Sequence, residues 1–309
     1  MANIPGTDLE VGALVLGGNV FGWSADEQQS HAVLDAFVAA GGRFVDTADA
    51  YSRWAPGHVG GESETVIGTW LAKRGRRDDV VIATKVAKLD TRRGLSAANV
   101  RAAAEDSLRR LQTDHIDVYY AHEDDQSVPL EETLGAFDEL VRAGKVRVVA
   151  ASNYSAPRLA EALRTSEEHG LARYAAVQDH YNLVERDGYE GAYADLVARE
   201  GLASFPYFGL AAGFLTGKYR DGQASGARAG NVARYLEDPR TPGLYAALDA
   251  VADAHGTTVP AVALAWLRAQ PTVTAPIASA RTPEQLADIL PALTLELKED
   301  ETAALRAAW

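Results

Sequence analysis

Cysteine is absent from the 309 residues, which excludes disulfides, thiolate zinc sites and thiol nucleophiles. Basic blocks are missing too. With 43 acidic against 30 basic residues the formal net charge is −13, a balance that argues against nucleic acid or an anionic membrane as partner. No apolar run approaches the ~18 residues of a membrane span, and the first ten residues lack the basic-then-apolar pattern of an export signal, so a cytoplasmic location is expected. Neither G-x-G-x-x-G after a strand nor an H-x-H or H-E-x-x-H pair occurs. A Rossmann dehydrogenase therefore has no sequence basis, and a metal-dependent hydrolase is disfavoured.

What the chain does have is alternation. Residues 9–17 predict a hairpin running into a first core strand, and apolar positions Val33, Leu34, Phe37 and Val38 predict a helix over 26–40. Strands are then expected at 43–46, 80–85, 116–121, 146–151, 174–178, 202–207 and 273–277. Helices are expected between them, near 62–73, 96–111, 130–143, from 156, near 190–200, 241–255 and 258–269, with further helices near 283–290 and 298–308. Eight strands separated by helices, at this length and with no linker-like break, predict a single α/β domain over 1–309. The expected form is a closed (β/α)8 TIM barrel with an N-terminal β-hairpin and extra C-terminal helices. The Gly-, Ala- and Ser-rich stretch 220–233 is the expected mobile flap.

In such a barrel the chemistry sits where strands end. Those ends carry Asp46 and Tyr51, Lys85, His122, Ser152 and Asn153, Gln178, and Tyr207. Each has an ordinary structural explanation alone: a loop cap, a barrel ion pair, a core histidine, or in Ser152 or Ser155 the cap of the helix containing Pro157. Together on one rim they form an acid–base set. A phenol with a pKa of about 10 is a poor acid at neutrality, and an adjacent ammonium lowers that value. Lys85 is the available cation, Asp46 would hold it, and neutral His122 would orient a carbonyl oxygen beside the Tyr51 hydroxyl. Such a set delivers a proton to a carbonyl while a nicotinamide cofactor delivers hydride.

At these residues the sequence resembles the aldo-keto reductase family. The matching pieces are V-D-T-A-D-A-Y at 45–51, G-E-S-E-T-V-I-G at 61–68, T-K at 84–85, D-V-Y-Y-A-H at 117–122, S-N at 152–153, Gln178, G-F-L-T-G-K-Y at 213–219 and P-I-A-S-A-R-T-P-E-Q-L at 276–286. The resemblance implies a catalytic tetrad of Asp46, Tyr51, Lys85 and His122 with Tyr51 as general acid. It also implies that Ser152, Asn153 and Gln178 hold the nicotinamide carboxamide and that Tyr207 stacks on the ring. Segment 210–218, with Leu210, Gly213 and Lys218, would wrap the pyrophosphate. Ser279 would also contact the cofactor, Gln285 would face the adenosine end, and Arg281 would meet a 2′-phosphate, which favours NADP(H). Three departures from the family pattern stand out: Phe208 and Gly209 replace a Ser-Pro, Ser279 replaces a frequent glycine, and Ile289 replaces an adenine-binding asparagine.

On the substrate side, Trp23, Phe21 and Trp54 lie on the first two rim loops, where they could wall a pocket for an apolar or sugar-like carbonyl compound or simply pack the loops. The leading expectation is an NADP(H)-dependent oxidoreductase with a small-molecule carbonyl substrate, no metal, and no nucleic-acid or membrane partner; homo-oligomerisation is left open. The competing readings are a nucleotide-binding regulatory protein on the same fold and, more distantly, a metal-dependent hydrolase barrel using Asp46 and His122.

Overall fold

The computed structural model describes residues 2–223 and 229–309. Eight parallel strands form the sheet: β1 (Val15–Gly17), β2 (Phe44–Asp46), β3 (Val81–Val86), β4 (Ile116–Ala121), β5 (Val146–Ser152), β6 (Ala176–Gln178), β7 (Ala203–Ser204) and β8 (Ile277–Ala278). They pair in chain order and β8 returns to β1, with Val15 opposite Ile277. The ring is joined at the other side by backbone bonds. Thr274 N–H donates to Ser204 O at 2.9 Å and Ile277 N–H to Pro206 O at 2.9 Å, linking the β8 approach to β7.

The helices enclosing the barrel begin where the sequence supplies caps. Helix α1 (Glu27–Ala39) opens with a capping box in which Asp26 accepts from Gln29 N–H at 2.8 Å and the Gln29 side chain accepts in return. Next come α2 (Glu62–Arg74), α3 (Ala97–Leu111) capped by Ser96, α4 (Leu130–Arg142), and α5 (Ala156–His169) capped by Ser155. The cap of the Pro157 helix is thus Ser155; Ser152 is used elsewhere. Helices α6 (Ala192–Arg199), α7 (Ala229–Leu236), α8 (Thr241–His255), α9 (Val259–Arg268), α10 (Pro283–Ile289) and α11 (Glu299–Ala307) complete the shell.

Alternation along each strand divides the core in two. One set of side chains points outward to the helices: Leu16, Val45, Ile82, Tyr119, Val149 and Val177 belong to the large outer core. The other fills the barrel: Val15, Phe44, Val81 and Ala83, Val118 and Tyr120, Val148 and Ala150, Ala176, Ala203 and Phe205, and Ile277. Counting two residues on from the last member on each strand gives Gly17, Asp46, Lys85, His122, Ser152, Gln178, Tyr207 and Ser279. The pleat that packs the interior therefore continues as the next inward layer, and that layer is polar.

The structure revises three expectations. The hairpin starts upstream of 9–17 and shares only its first residues: its arms meet at the antiparallel bridge Asn3–Glu10, and Ile4, Leu9 and Val11 plug the barrel's lower end. An additional two-stranded hairpin, Lys88–Leu89 with Arg92–Arg93, follows β3. Of the expected flap, residues 224–228 lie outside the described residues, and from Ala229 onward the segment is helix α7.

Candidate active site

The glycine pair ahead of β2 sets the approach. Gly41 has φ +89°, and a Cβ on Gly42 would sit 2.4 Å from the Phe37 ring, so the turn out of α1 accepts only small residues before Phe44 and Val45 dive into the barrel. Asp46 emerges at the end of that strand. Its Oδ2 accepts from the Lys85 ammonium at 2.6 Å and from the Tyr51 hydroxyl at 3.2 Å, while its Oδ1 accepts from Gln178 Nε2 at 2.8 Å. Lys85, fully buried, also donates to the Thr47 carbonyl at 2.7 Å and to Tyr51 Oη at 2.8 Å. All three ammonium hydrogens thus have acceptors, which is the condition for keeping a charge inside a protein.

Electrostatics at this cluster differ from expectation. Burial first, then the charge and hydrogen bond of Asp46, push the Tyr51 hydroxyl well above its ordinary value of 10.0, whereas the neighbouring ammonium was expected to lower it. The reason is that Lys85 is itself desolvated, which lowers its pKa, and its charge is already met by Asp46. At rest Tyr51 is a protonated donor. Burial, and after it the positive charges of Lys85, Lys88 and Arg53, hold His122 well below 6.5, so its ring is neutral. That ring lies 5.9 Å from the Tyr51 ring, and its buried Nδ1 has no hydrogen-bond partner.

Beside the tetrad the polar layer is cross-linked. Ser152 Oγ donates to Gln178 O at 2.6 Å. Asn153, at φ +58°, donates through Nδ2 to His122 O at 2.8 Å and to Ser152 Oγ at 2.9 Å, and its Oδ1 accepts from Tyr207 Oη at 2.7 Å. Tyr207 is backed by His180, whose ring is stacked on it at 5.5 Å. Beyond Tyr207 the backbone becomes unusual: Phe208, Ala211 and Ala212 have φ of +54°, +46° and +58°, and Gly213 has +99°. Three non-glycine residues in the left-handed region within five positions mark stored strain of the kind found at binding sites.

These groups share one cleft of about 1170 Å³. Asp46, Tyr51, His122, Ser152, Asn153, Gln178, Tyr207, Leu210, Gly213, Lys218, Ser279, Arg281, Gln285, Trp23 and Trp54 all line it. Lys85 lies behind the wall, reaching the cleft through Tyr51 and Asp46. Phe21 does not join it, being fully buried in the outer core. Trp23 and Trp54 meet edge to face at 5.5 Å, with Trp54 6.1 Å from the Tyr51 ring. Ser279 is accommodated by Gly17, where a Cβ would come 2.6 Å from its hydroxyl, and it donates to Asn19 at 2.6 Å. A second hollow, of about 800 Å³ beside the N-terminal hairpin, contains none of these residues. Phe208, noted from sequence only as a departure from the family pattern, also lines the main cleft, as do Lys88 and Thr258, which were not singled out. Thr258 had a usable signal, since T-V-P is a cap followed by a first-turn proline.

A match to the model of the Aldo/keto reductase family covers residues 13–309. This chain belongs to that family. Within it, this aldo/keto reductase is 34% identical to Protein tas of Escherichia coli (strain K12), over 98% of this chain and 96% of that protein. It is 35% identical to an uncharacterized oxidoreductase, YrpG, of Bacillus subtilis (strain 168), over 95% and 91%. Norsolorinic acid reductase B of Aspergillus parasiticus is 31% identical over 99% of this chain and 82% of its own length. An aldo/keto reductase is an oxidoreductase of carbonyl groups, and this one has its polar, strained and cationic residues gathered in one cleft. Among the described residues no helix is long and apolar enough to cross a membrane, and no group of three or more His, Asp and Glu side chains could hold a metal ion.

Proposed function

We propose that this enzyme reduces aldehydes or ketones with NADP(H), Tyr51 acting as general acid. The observation that carries the reading is the buried contact of the Lys85 ammonium with Tyr51 Oη at 2.8 Å and Asp46 at 2.6 Å. Tyr51 holds its proton at neutral pH and offers it to an oxygen in the cleft. As the proton leaves, the phenolate that forms accepts a charge-assisted hydrogen bond from Lys85, and Asp46 keeps the ammonium in place. Neutral His122 adds a second polar group beside the same oxygen without competing for the proton.

The residues fit the cofactor. The cleft is large enough for a dinucleotide, has an amide-rich floor at Ser152, Asn153 and Gln178, and carries Lys218 and Arg281 towards its other end. Arg281 forms no side-chain hydrogen bond or ion pair among the described residues, leaving its guanidinium for a phosphate. When bound, the nicotinamide would supply hydride to the carbonyl carbon. Phe208 and Ile289 close parts of the wall with apolar surface where polar residues were the family pattern, so the adenine end is held chiefly by packing. Trp23 and Trp54 are the proposed substrate walls, suited to flat or apolar carbonyl compounds.

The deciding experiment follows NADPH oxidation against a panel of aromatic and aliphatic aldehydes and ketones. Turnover is expected in the native enzyme, reduced about 10²–10⁴-fold in Tyr51→Phe with NADPH affinity retained. Arg281→Ala should weaken NADPH about tenfold and NADH hardly at all. No turnover across the panel, or full activity in Tyr51→Phe, would defeat the proposal.

A further inference from the structure

Asp179 follows Gln178 and belongs to none of the expected site residues, yet it touches the cleft's floor from behind on two sides. Its Oδ1 accepts from the Asn153 backbone N–H at 2.9 Å, and its backbone carbonyl accepts from the Tyr207 N–H at 3.0 Å. Its Oδ2 accepts a short hydrogen bond from the Tyr193 hydroxyl. Asn153 is held at φ +58°, and from that conformation its side chain reaches His122 O, Ser152 Oγ and Tyr207 Oη. A backbone of that kind persists only where its surroundings fix it, and the N–H of the strained residue is the group Asp179 holds.

We propose that Asp179 is a positioning residue for cofactor binding: its carboxylate fixes the Asn153 backbone and, through the Asn153 side chain, sets Tyr207 and the His122 main chain. This rests on the reading of Asn153 and Tyr207 as cofactor-binding residues. The carboxylate has no ion pair among the described residues. The titratable groups facing it are phenols: Tyr193 and Tyr189 from α6 and the turn before it, Tyr207 after β7, and Tyr120 of β4. Desolvation without a compensating cation pushes its pKa up to about 7, opposed by the Tyr193 and Asn153 hydrogen bonds. The ionised form therefore predominates above about pH 7 and the neutral acid below it. Ionised, both oxygens accept. Protonated at Oδ2, the acid makes Tyr193 turn to accept and leaves Asn153 a weaker, neutral carbonyl partner. Asparagine reproduces that neutral arrangement at every pH.

The test is NADPH affinity by fluorescence titration between about pH 6 and about pH 8. The native enzyme should bind about fivefold more tightly above pH 7 than below, and Asp179→Asn should lose that component and bind throughout as the native enzyme does at low pH. Because both titrations use the same cofactor, ionisation of its own phosphate cancels between them. Tyr193→Phe removes a bond that lowers the Asp179 pKa, so it should move the inflection to higher pH. Asp179→Ala should weaken NADPH about tenfold, seen in KM more than in kcat; loss of folded protein would lower kcat alone. If Asp179→Ala does not fold, the asparagine variant still decides. A native enzyme that binds NADPH with the same pH profile as Asp179→Asn overturns the inference while leaving the function intact. A native enzyme that binds no NADPH at any pH overturns the function and this inference with it.

Discussion

At the scale of single residues, part of the candidate site is the uppermost inward layer of the barrel, which is why those side chains stand out in the sequence. A strand whose alternate positions are Val, Ala, Phe or Tyr and whose next alternate position is Asp, Lys or His declares where its interior stops. The direction of their titration was not legible, because it depends on which charges are already paired and how much water is excluded. Tyr51 shows this, and so does Asp49. Asp49 is fully buried with neither carboxylate oxygen hydrogen-bonded. Burial, then the charge of Glu64, raises its pKa from 3.8 to about 7. The folded value exceeds the unfolded one, so the unfolded chain gives up this proton first and the fold loses stability as pH climbs from about 4 through about 7. Asp49→Asn removes that loss. Its stability relative to the native enzyme should improve by about 2–4 kcal/mol between pH 4 and pH 8, read from urea unfolding at each pH. An unchanged difference across that range would mean that Asp49 stays ionised or escapes to water.

At the scale of elements, the helices fall within a few residues of their expected positions because caps and apolar spacing are local signals. Strands β2, β6, β7 and β8 come out shorter than expected while β3, β4 and β5 match or slightly exceed their expected lengths, for a long-range reason: how far a strand runs is fixed by which neighbour it meets, as β7 and β8 show with two residues each. The hairpin after β3 is too short to show a period, and the apolar face of helix α7 at Val232, Tyr235 and Leu236 was masked by the Gly-, Ala- and Ser-rich stretch in which it begins. Helix contacts are likewise invisible until the partner is known. Gly68 in α2 has ordinary helical geometry and no evident reason to be glycine from its own neighbours. The reason is α3: a Cβ there would fall 2.0 Å from the Arg110 backbone carbonyl. Beside it, Glu64 accepts from Thr84 Oγ1 at 2.5 Å and from Arg110 Nε at 2.6 Å, tying β3, α2 and α3 together with a buried charge. Gly68→Ala must push α2 from α3 and stretch both bonds. Overpacking against backbone should cost at least about 3 kcal/mol, seen as a lowered urea midpoint with little change in slope. A variant as stable as the native enzyme would show that the two helices can separate freely.

At the scale of the whole molecule, eight alternating units were enough to expect a closed barrel with a hairpin ahead of it, whereas the bonds that close the ring and the place of the hairpin at its lower end were not readable. Closure depends on Thr274 and Ile277 reaching the β7 chain at Ser204 and Pro206, distant in sequence, and no local pattern records that. The plug depends on a hairpin that begins upstream of the expected stretch, at the bridge Asn3–Glu10, and on barrel residues distant in sequence. Its contribution is still large. Ile4, Leu9 and Val11 are almost wholly buried against the lowest interior residues of the barrel, and Asp8 pairs with Arg147 on the rim at 2.8 Å. At about 1.5–3 kcal/mol for each apolar side chain, deleting residues 2–11 should cost about 5 kcal/mol or more, with the ion pair adding little because it is exposed. The interior layers separate this plug from the tetrad, which sits at the opposite end of the same strands. A truncated enzyme should therefore unfold at lower urea and yet, at temperatures where it remains folded, bind NADPH with unchanged affinity. A fall in affinity that tracks the fall in stability would show that the barrel's lower layers transmit strain to the site, and that its two ends do not act independently.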